Sequence, residues 1–124
     1  MAVNVFLDAN VLVPIALTDT LLRLGNVGLI DPHWSGQVLN EVEEALHRIH
    51  PDMATDKIRR RFDAMNAGFE YAMVAVDDEA ISRFALPDPD DRHVPAGAIL
   101  CEATVIVTND AKGFPASTLA EHGI

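Results

Sequence analysis

Two short apolar runs near opposite ends of the chain, Val3–Leu7 and Thr104–Thr108, restrict its fold more than anything between them. Both are β-prone and of strand length. Apart from Asn4, the interiors lack the apolar/polar alternation of a half-exposed strand, so both read as strands buried in a parallel sheet. Each stops at polar, acidic residues: the first at Asp8-Ala9-Asn10, the second at Asn109-Asp110. Helix-length segments separate the strands, which predicts an α/β fold: a three-layer, mostly parallel sheet wound with helices on both faces. Ligands of such sheets bind beyond the carboxyl ends of the strands, where Asp8 and Asp110 would stand.

Between these runs the chain follows the same alternation. Val11–Leu24 is apolar and helical in length, Gly25 suits its C-cap, and Pro14 fits only in its first turn. Leu29 and Ile30 suggest a short strand turned by Asp31-Pro32. Ser35 is a good N-cap for a helix over Gly36–Ile49, whose apolar stripe is Val38, Leu39, Val42, Ala45, Leu46 and Ile49. Glu44 lies opposite that stripe, and Glu41 and Glu43 flank it. Thr55 can cap a further helix, Asp56–Phe69, with Ile58, Phe62, Met65 and Phe69 inward. Its other face carries Lys57, Arg59, Arg60 and Arg61, four of the nine basic residues. That run suits a solvated helix face, or a surface that contacts phosphate or a partner. Tyr71–Val76 fits a strand or a connection, Asp77 can cap Asp78–Phe84, and Ser117–His122 is a short terminal helix.

The third acidic segment is Leu86-Pro87-Asp88-Pro89-Asp90-Asp91-Arg92-His93-Val94. Asp88-Pro89 has the form of an N-cap with proline at the first helical position. Pro95, near the start of an apolar helix over Arg92–Glu102, implies a different beginning, so an irregular first turn is expected. Glu41 near one helix start, Asp91 near another, and Asp8 and Asp110 at strand ends can all face one crevice. Four carboxylates there would repel one another without a cation, and Mg²⁺ or Mn²⁺ is the hard match for oxygen donors. Each acid also has a structural use: Asp8 as a helix cap, Glu41 as a surface acid, Asp91 as one capping choice among three, Asp110 in a turn. Their joint placement points to a site. No Cys/His spacing suggests zinc, since His47 and His50 lack further ligands.

Composition narrows the function. With 124 residues the chain reads as one domain, 1–124, large enough for a core without metal or disulfide staples. A formal net charge of −10 argues against binding nucleic acid through bulk charge, but permits a site in which cations neutralise focused acids. The single cysteine, Cys101, sits in an apolar run as an inert thiol, and a reducing cytoplasm is the expected setting. Neither an ordinary signal peptide nor a membrane-spanning stretch is legible.

Together these segments resemble the PIN-domain family, small metal-dependent ribonucleases that include VapC-like toxins of toxin–antitoxin pairs. Val5-Phe6-Leu7-Asp8-Ala9-Asn10-Val11-Leu12 looks like the family's opening strand and first acid. Leu39-Asn40-Glu41-Val42-Glu43-Glu44-Ala45-Leu46 is similar to its second-acid helix. Asp88 through Val94, followed by an Ala-rich helix, places the third acid at Asp91, and Val105-Ile106-Val107-Thr108-Asn109-Asp110 resembles the final segment. The resemblance implies hydrolysis of RNA phosphodiesters by one or two ions on Asp8, Glu41, Asp91 and Asp110. Asn10 and Thr108 would orient those ligands, Asp90 would be a reserve ligand, and Asp88 a local cap. It also implies an antitoxin partner and dimerisation, with Lys57, Arg59, Arg60 and Arg61 as candidate RNA or antitoxin contacts. Pro95 departs from the pattern, and the chain stops at Gly123-Ile124, about where such domains begin a last strand. That predicts a truncated form or a sheet edge completed by a partner. Two other readings compete. A haloacid-dehalogenase-like phosphatase also opens on a strand and an aspartate, but wants a second aspartate where Asn10 stands. A non-catalytic interaction module of the same fold would keep the architecture without the chemistry.

Overall fold

In the computed structural model, which describes residues 2–124, four parallel strands lie in the order β3-β2-β1-β4. They are β1 (Val3–Leu7), β2 (Ile30–Ser35), β3 (Met73–Val74) and β4 (Val105–Val107). The register pairs Phe6 with His33 and Leu7 with Val107. With helices on both faces, the sheet makes the three-layer α/β fold that the strand pattern predicts. The two runs that opened the analysis are therefore hydrogen-bonded neighbours.

The pleat sends Val5 and Leu7 to one face, Asn4 and Phe6 to the other. On the first face lie α1 (Ala9–Leu12), α2 (Ile15–Asn26), α3 (Gly36–Ile49) and α4 (Thr55–Gly68). Trp34, fully buried there, donates from Nε1 to Asn66 Oδ1 of α4 at 2.8 Å and meets the Phe69 ring edge-on. The second face is covered by α6 (His93–Leu100), against which α5 (Asp78–Ser82) packs; α7 (Ala116–Ala120) follows β4. Gly97 brings α6 onto the sheet: a Cβ at that position would run into the Phe6 ring.

Several expected boundaries move, each for a physical reason. The long first helix is two helices, α1 and α2, broken at Val13-Pro14, because Pro14 takes an extended ψ as the N-cap of α2. Arg61 clasps this break, donating from one guanidinium nitrogen to Leu12 O and to Thr18 Oγ1, both at 2.8 Å. Gly25 is not the C-cap. It lies inside α2, where a Cβ would come within 2.7 Å of the Phe69 ring.

Asp31-Pro32 does not turn the chain but continues β2 through to Ser35. Trp34 N donates to Ala72 O on the β3 side, so Pro32, two residues earlier, faces the same side before β3 begins. The missing N–H therefore costs no ladder bond. Thr55 starts α4 without a capping hydrogen bond, and Tyr71–Val76 contributes only the two residues of β3. β4 lies at the end of the sheet, where Val105 is exposed, rather than fully buried. The caps predicted at Ser35 and Asp77 both form.

Candidate active site

Strand order places the acids. The chain leaves β1 toward β2 on one side and later returns to add β4 on the other, so the carboxyl ends of β1 and β4 flank the switch point of the sheet. Asp8 N donates to Val107 O at 3.0 Å, which fixes Asp8 beside the first residues after β4.

The strand-borne half of the site is closely bonded. Asp8 caps α1, its Oδ1 accepting from Ala9 N at 2.8 Å. Its Oδ2 accepts the Thr108 hydroxyl proton at 2.9 Å. Thr108 Oγ1 in turn accepts from Asn10 Nδ2 at 3.2 Å and from Asp110 N at 3.0 Å. One donated and two accepted bonds use the full capacity of a hydroxyl. Asn10 Oδ1 also accepts from Asn109 N at 3.0 Å. Asp110 caps the 3₁₀ turn Ala111–Gly113, with Oδ1 accepting from Gly113 N at 3.2 Å. A Cβ on Gly113 would stand 2.8 Å from Asp110 Oδ2 and 3.5 Å from Asp91 Oδ2, so both carboxylates converge on a position with little room for a side chain.

The helix-borne half is looser. Asp88 caps a 3₁₀ turn over Pro89–Asp91, and α6 begins at His93. The irregular start expected from the two prolines is thus a 3₁₀ turn followed by an α-helix. Pro95 falls within the first turn of α6, where backbone N–H groups have no intrahelical partner. Glu41, half-exposed on the second turn of α3, turns one oxygen toward the buried His93, with Oε1 2.8 Å from Nε2. The approach is close but poorly aligned for a hydrogen bond, and His93 Nδ1 has no hydrogen-bond partner among the described residues.

Burial is the main cause that raises the Asp8 carboxyl above its ordinary value; the Thr108 and Ala9 bonds oppose it, while the charge of Glu41 adds to it. Asp91 is also raised, first by partial burial, then by the charges of Asp88, Asp8, Glu41 and Asp110. Four carboxylates drawn from two strand ends and two helix starts thus share one electrostatic environment. Among the described residues, no three Asp, Glu, His or Cys side chains form a ready-made cation cage. Glu41 leans on His93 and Asp110 on Gly113 N. The donor set nonetheless fits a hard dication: every ligand is a carboxylate oxygen, and mutual repulsion is the energy that a bound cation would relieve.

The remaining candidates separate. Asp90 is exposed, with no hydrogen bond from its side chain among the described residues. Of the basic run, Arg61 is spent on the α1–α2 break, and burial pulls its guanidinium down from its ordinary value. Arg59 contacts Glu43 at 3.4 Å, and Arg60 bonds back to Asp56 O. Lys57 lines an apolar groove of about 510 Å³ with Leu46, Ile49, Met53 and Ile58. The run is therefore not one uniform contact surface. Cys101 is half-buried, its thiol pushed up by burial, in keeping with an inert role. Two site residues escaped singling out, His93 and Gly113. A histidine two residues beyond the third acid, opening an apolar helix, was the available signal for the first; none marked the second.

Fold and cluster define a class: a wound α/β domain with a group of acidic side chains at the switch point of its sheet. The chain belongs to the PIN-domain family, whose model, PIN domain, matches residues 4–112 and so takes in Asp8, Glu41, Asp91 and Asp110. No curated protein and no solved structure gives a significant match. PIN domains are generally nucleases and typically use divalent metal ions, which places this chain in the nuclease class. Among the described residues, no helix is long and apolar enough to cross a membrane.

Proposed function

We propose that this PIN domain is a divalent-metal-dependent endoribonuclease acting in the cytoplasm as the toxin of a toxin–antitoxin pair. The observation that carries the catalytic part is the convergence of Asp8, Glu41, Asp91 and Asp110 at the carboxyl ends of β1 and β4, where burial and neighbouring charge raise Asp8 and Asp91 together. These four would hold Mg²⁺ or Mn²⁺. When bound, the ion supplies a lowered pKa for water and stabilises charge on the phosphate and leaving oxygen. The protein's own part is orientation. Thr108 and Ala9 N fix both oxygens of Asp8, Asn10 fixes Thr108 and Asn109, and Gly113 N holds Asp110. A chain of net charge −10 repels RNA in bulk, so neutralising these acids is also what admits a phosphate.

The toxin role rests on the likeness of the acidic motifs to VapC-like proteins. Growth arrest on expression, relieved by a cognate antitoxin, tests it. For the chemistry, RNA cleavage should require Mg²⁺ or Mn²⁺ and stop with EDTA. Asp8→Asn should lower kcat/KM on the order of 10³-fold, about 4 kcal/mol of transition-state stabilisation. No cleavage of any RNA pool with either metal would favour a non-catalytic interaction module instead.

A further inference from the structure

His93 is the most deeply buried ionisable side chain near the acids, only 2% exposed, and the proposed chemistry gives it no task. An imidazole buried without hydrogen-bond partners is costly, so a folded chain retains one where it does something else. Its position is informative. His93 opens α6 directly after the turn that carries Asp91, and its ring crosses to α3 to reach Glu41. It thereby joins the segment that carries Asp91 to the helix that carries Glu41.

We propose that His93 is a positioning residue for Glu41. A small reorientation of either side chain lets His93 Nε2, 2.8 Å from Glu41 Oε1, donate to that oxygen and leaves the second carboxylate oxygen for the acidic cluster. The role requires only an N–H at the Nε2 position, and a neutral imidazole supplies it. Glu41 needs such a partner more than the other acids do. It projects from the second turn of α3 with about a third of its side chain exposed, and among the described residues no backbone N–H holds it in the way Ala9 N holds Asp8 or Gly113 N holds Asp110. An unheld glutamate loses rotamer freedom only when a cation binds, and that loss weakens binding.

This inference rests on the metal-nuclease reading, and the experiment separates the two. Mn²⁺ affinity is measured without RNA, by electron paramagnetic resonance, for wild type, His93→Gln and His93→Asn, each also in a Glu41→Gln background. Thermal melts without metal report folding. A glutamine amide reaches the Nε2 position, whereas an asparagine amide reaches only the Nδ1 position. H93Q should bind Mn²⁺ within about threefold of wild type, and H93N about 10–100-fold more weakly. That difference should vanish in the E41Q background, where a merely structural defect would persist. Equal Mn²⁺ affinity for wild type, H93Q and H93N overturns the inference and leaves the metal-nuclease reading standing. So does a loss in H93N that is unchanged by E41Q. Absence of Mn²⁺ binding by the wild-type protein overturns both. Should H93N fail to fold, H93Q decides alone: a loss of tenfold or more, undiminished by E41Q, overturns the inference.

Discussion

The two halves of the acidic site are built differently. On the strand side, Asp8, Asn10, Thr108, Asn109 and Asp110 form a closed set of hydrogen bonds in which Thr108 makes three. On the helix side, Glu41 stands on the second turn of α3 and Asp91 closes the 3₁₀ turn before α6, and among the described residues the two segments meet through the misaligned contact between Glu41 and His93. The strand side is held by the sheet itself, since the pairing of Leu7 with Val107 leaves the next residues no freedom to drift apart. The helix side depends on how α3 and α6 pack. The strand half is thus set by backbone pairing, whereas the helix half relies on packing and on His93 to set Glu41.

The comparison breaks most severely at Thr108. Thr108→Val keeps the shape of the side chain and removes the hydroxyl, leaving Asp8 Oδ2, Asn10 Nδ2 and Asp110 N without their shared partner. Cleavage should fall about 100-fold, and stability by about 1–3 kcal/mol, as read by kcat/KM and by denaturant unfolding. A T108V enzyme of near wild-type activity would mean that the strand side is not preset at all.

The helix side is reached through packing. Gly97→Ala drives a methyl group against the Phe6 ring and shifts α6, which carries His93 and follows Asp91, while every bond around Thr108 stays in place. We expect a loss of about 1–3 kcal/mol in stability. Mn²⁺ affinity should fall about tenfold or less, a milder effect than losing the Thr108 hub. An activity loss deeper than that of T108V would reverse the ranking of the two halves.

How legible these halves were in sequence follows from the same contrast. The strand side could be read because a β-prone run ending in Asp8 and another ending in Asn109-Asp110 are local patterns, and parallel sheets gather strand ends on one side. Ser35 and Asp77 were readable as caps because capping is local too. What could not be read depends on distant neighbours. Pro32 looked like a turn because nothing in the local sequence says that β3 starts too late to need its N–H. Arg61 looked like one of four surface cations because its partners, Leu12 O and Thr18, lie far back in the chain. His93 meets Glu41 only once α6 has crossed the sheet toward α3. Local residues announced the acids, whereas the groups that hold them emerge only from packing.

The smallest effect is electrostatic, and its sign is opposite to that of the packing changes. Burial and the charges of Asp88, Asp8, Glu41 and Asp110 raise the Asp91 carboxyl above the usual 3.8 of an unfolded aspartate. A group raised in the folded state contributes stability below its unfolded pKa and loses that contribution as pH rises through the folded value. Without metal, charged Asp91 is therefore a burden on the fold at neutral pH. Asp91→Asn should raise the melting temperature of the metal-free protein by ~2–4 °C at pH 7. The advantage should shrink as pH falls through the folded pKa, where the wild-type carboxyl is itself neutral. Adding Mg²⁺ at pH 7 should reverse the order, because wild type gains stability from the ion and D91N gains less. Melting curves with and without Mg²⁺ at two pH values carry the whole test. A D91N protein less stable than wild type in EDTA at pH 7 would show Asp91 held by bonds rather than strained by charge. The helix side would then be as preset as the strand side.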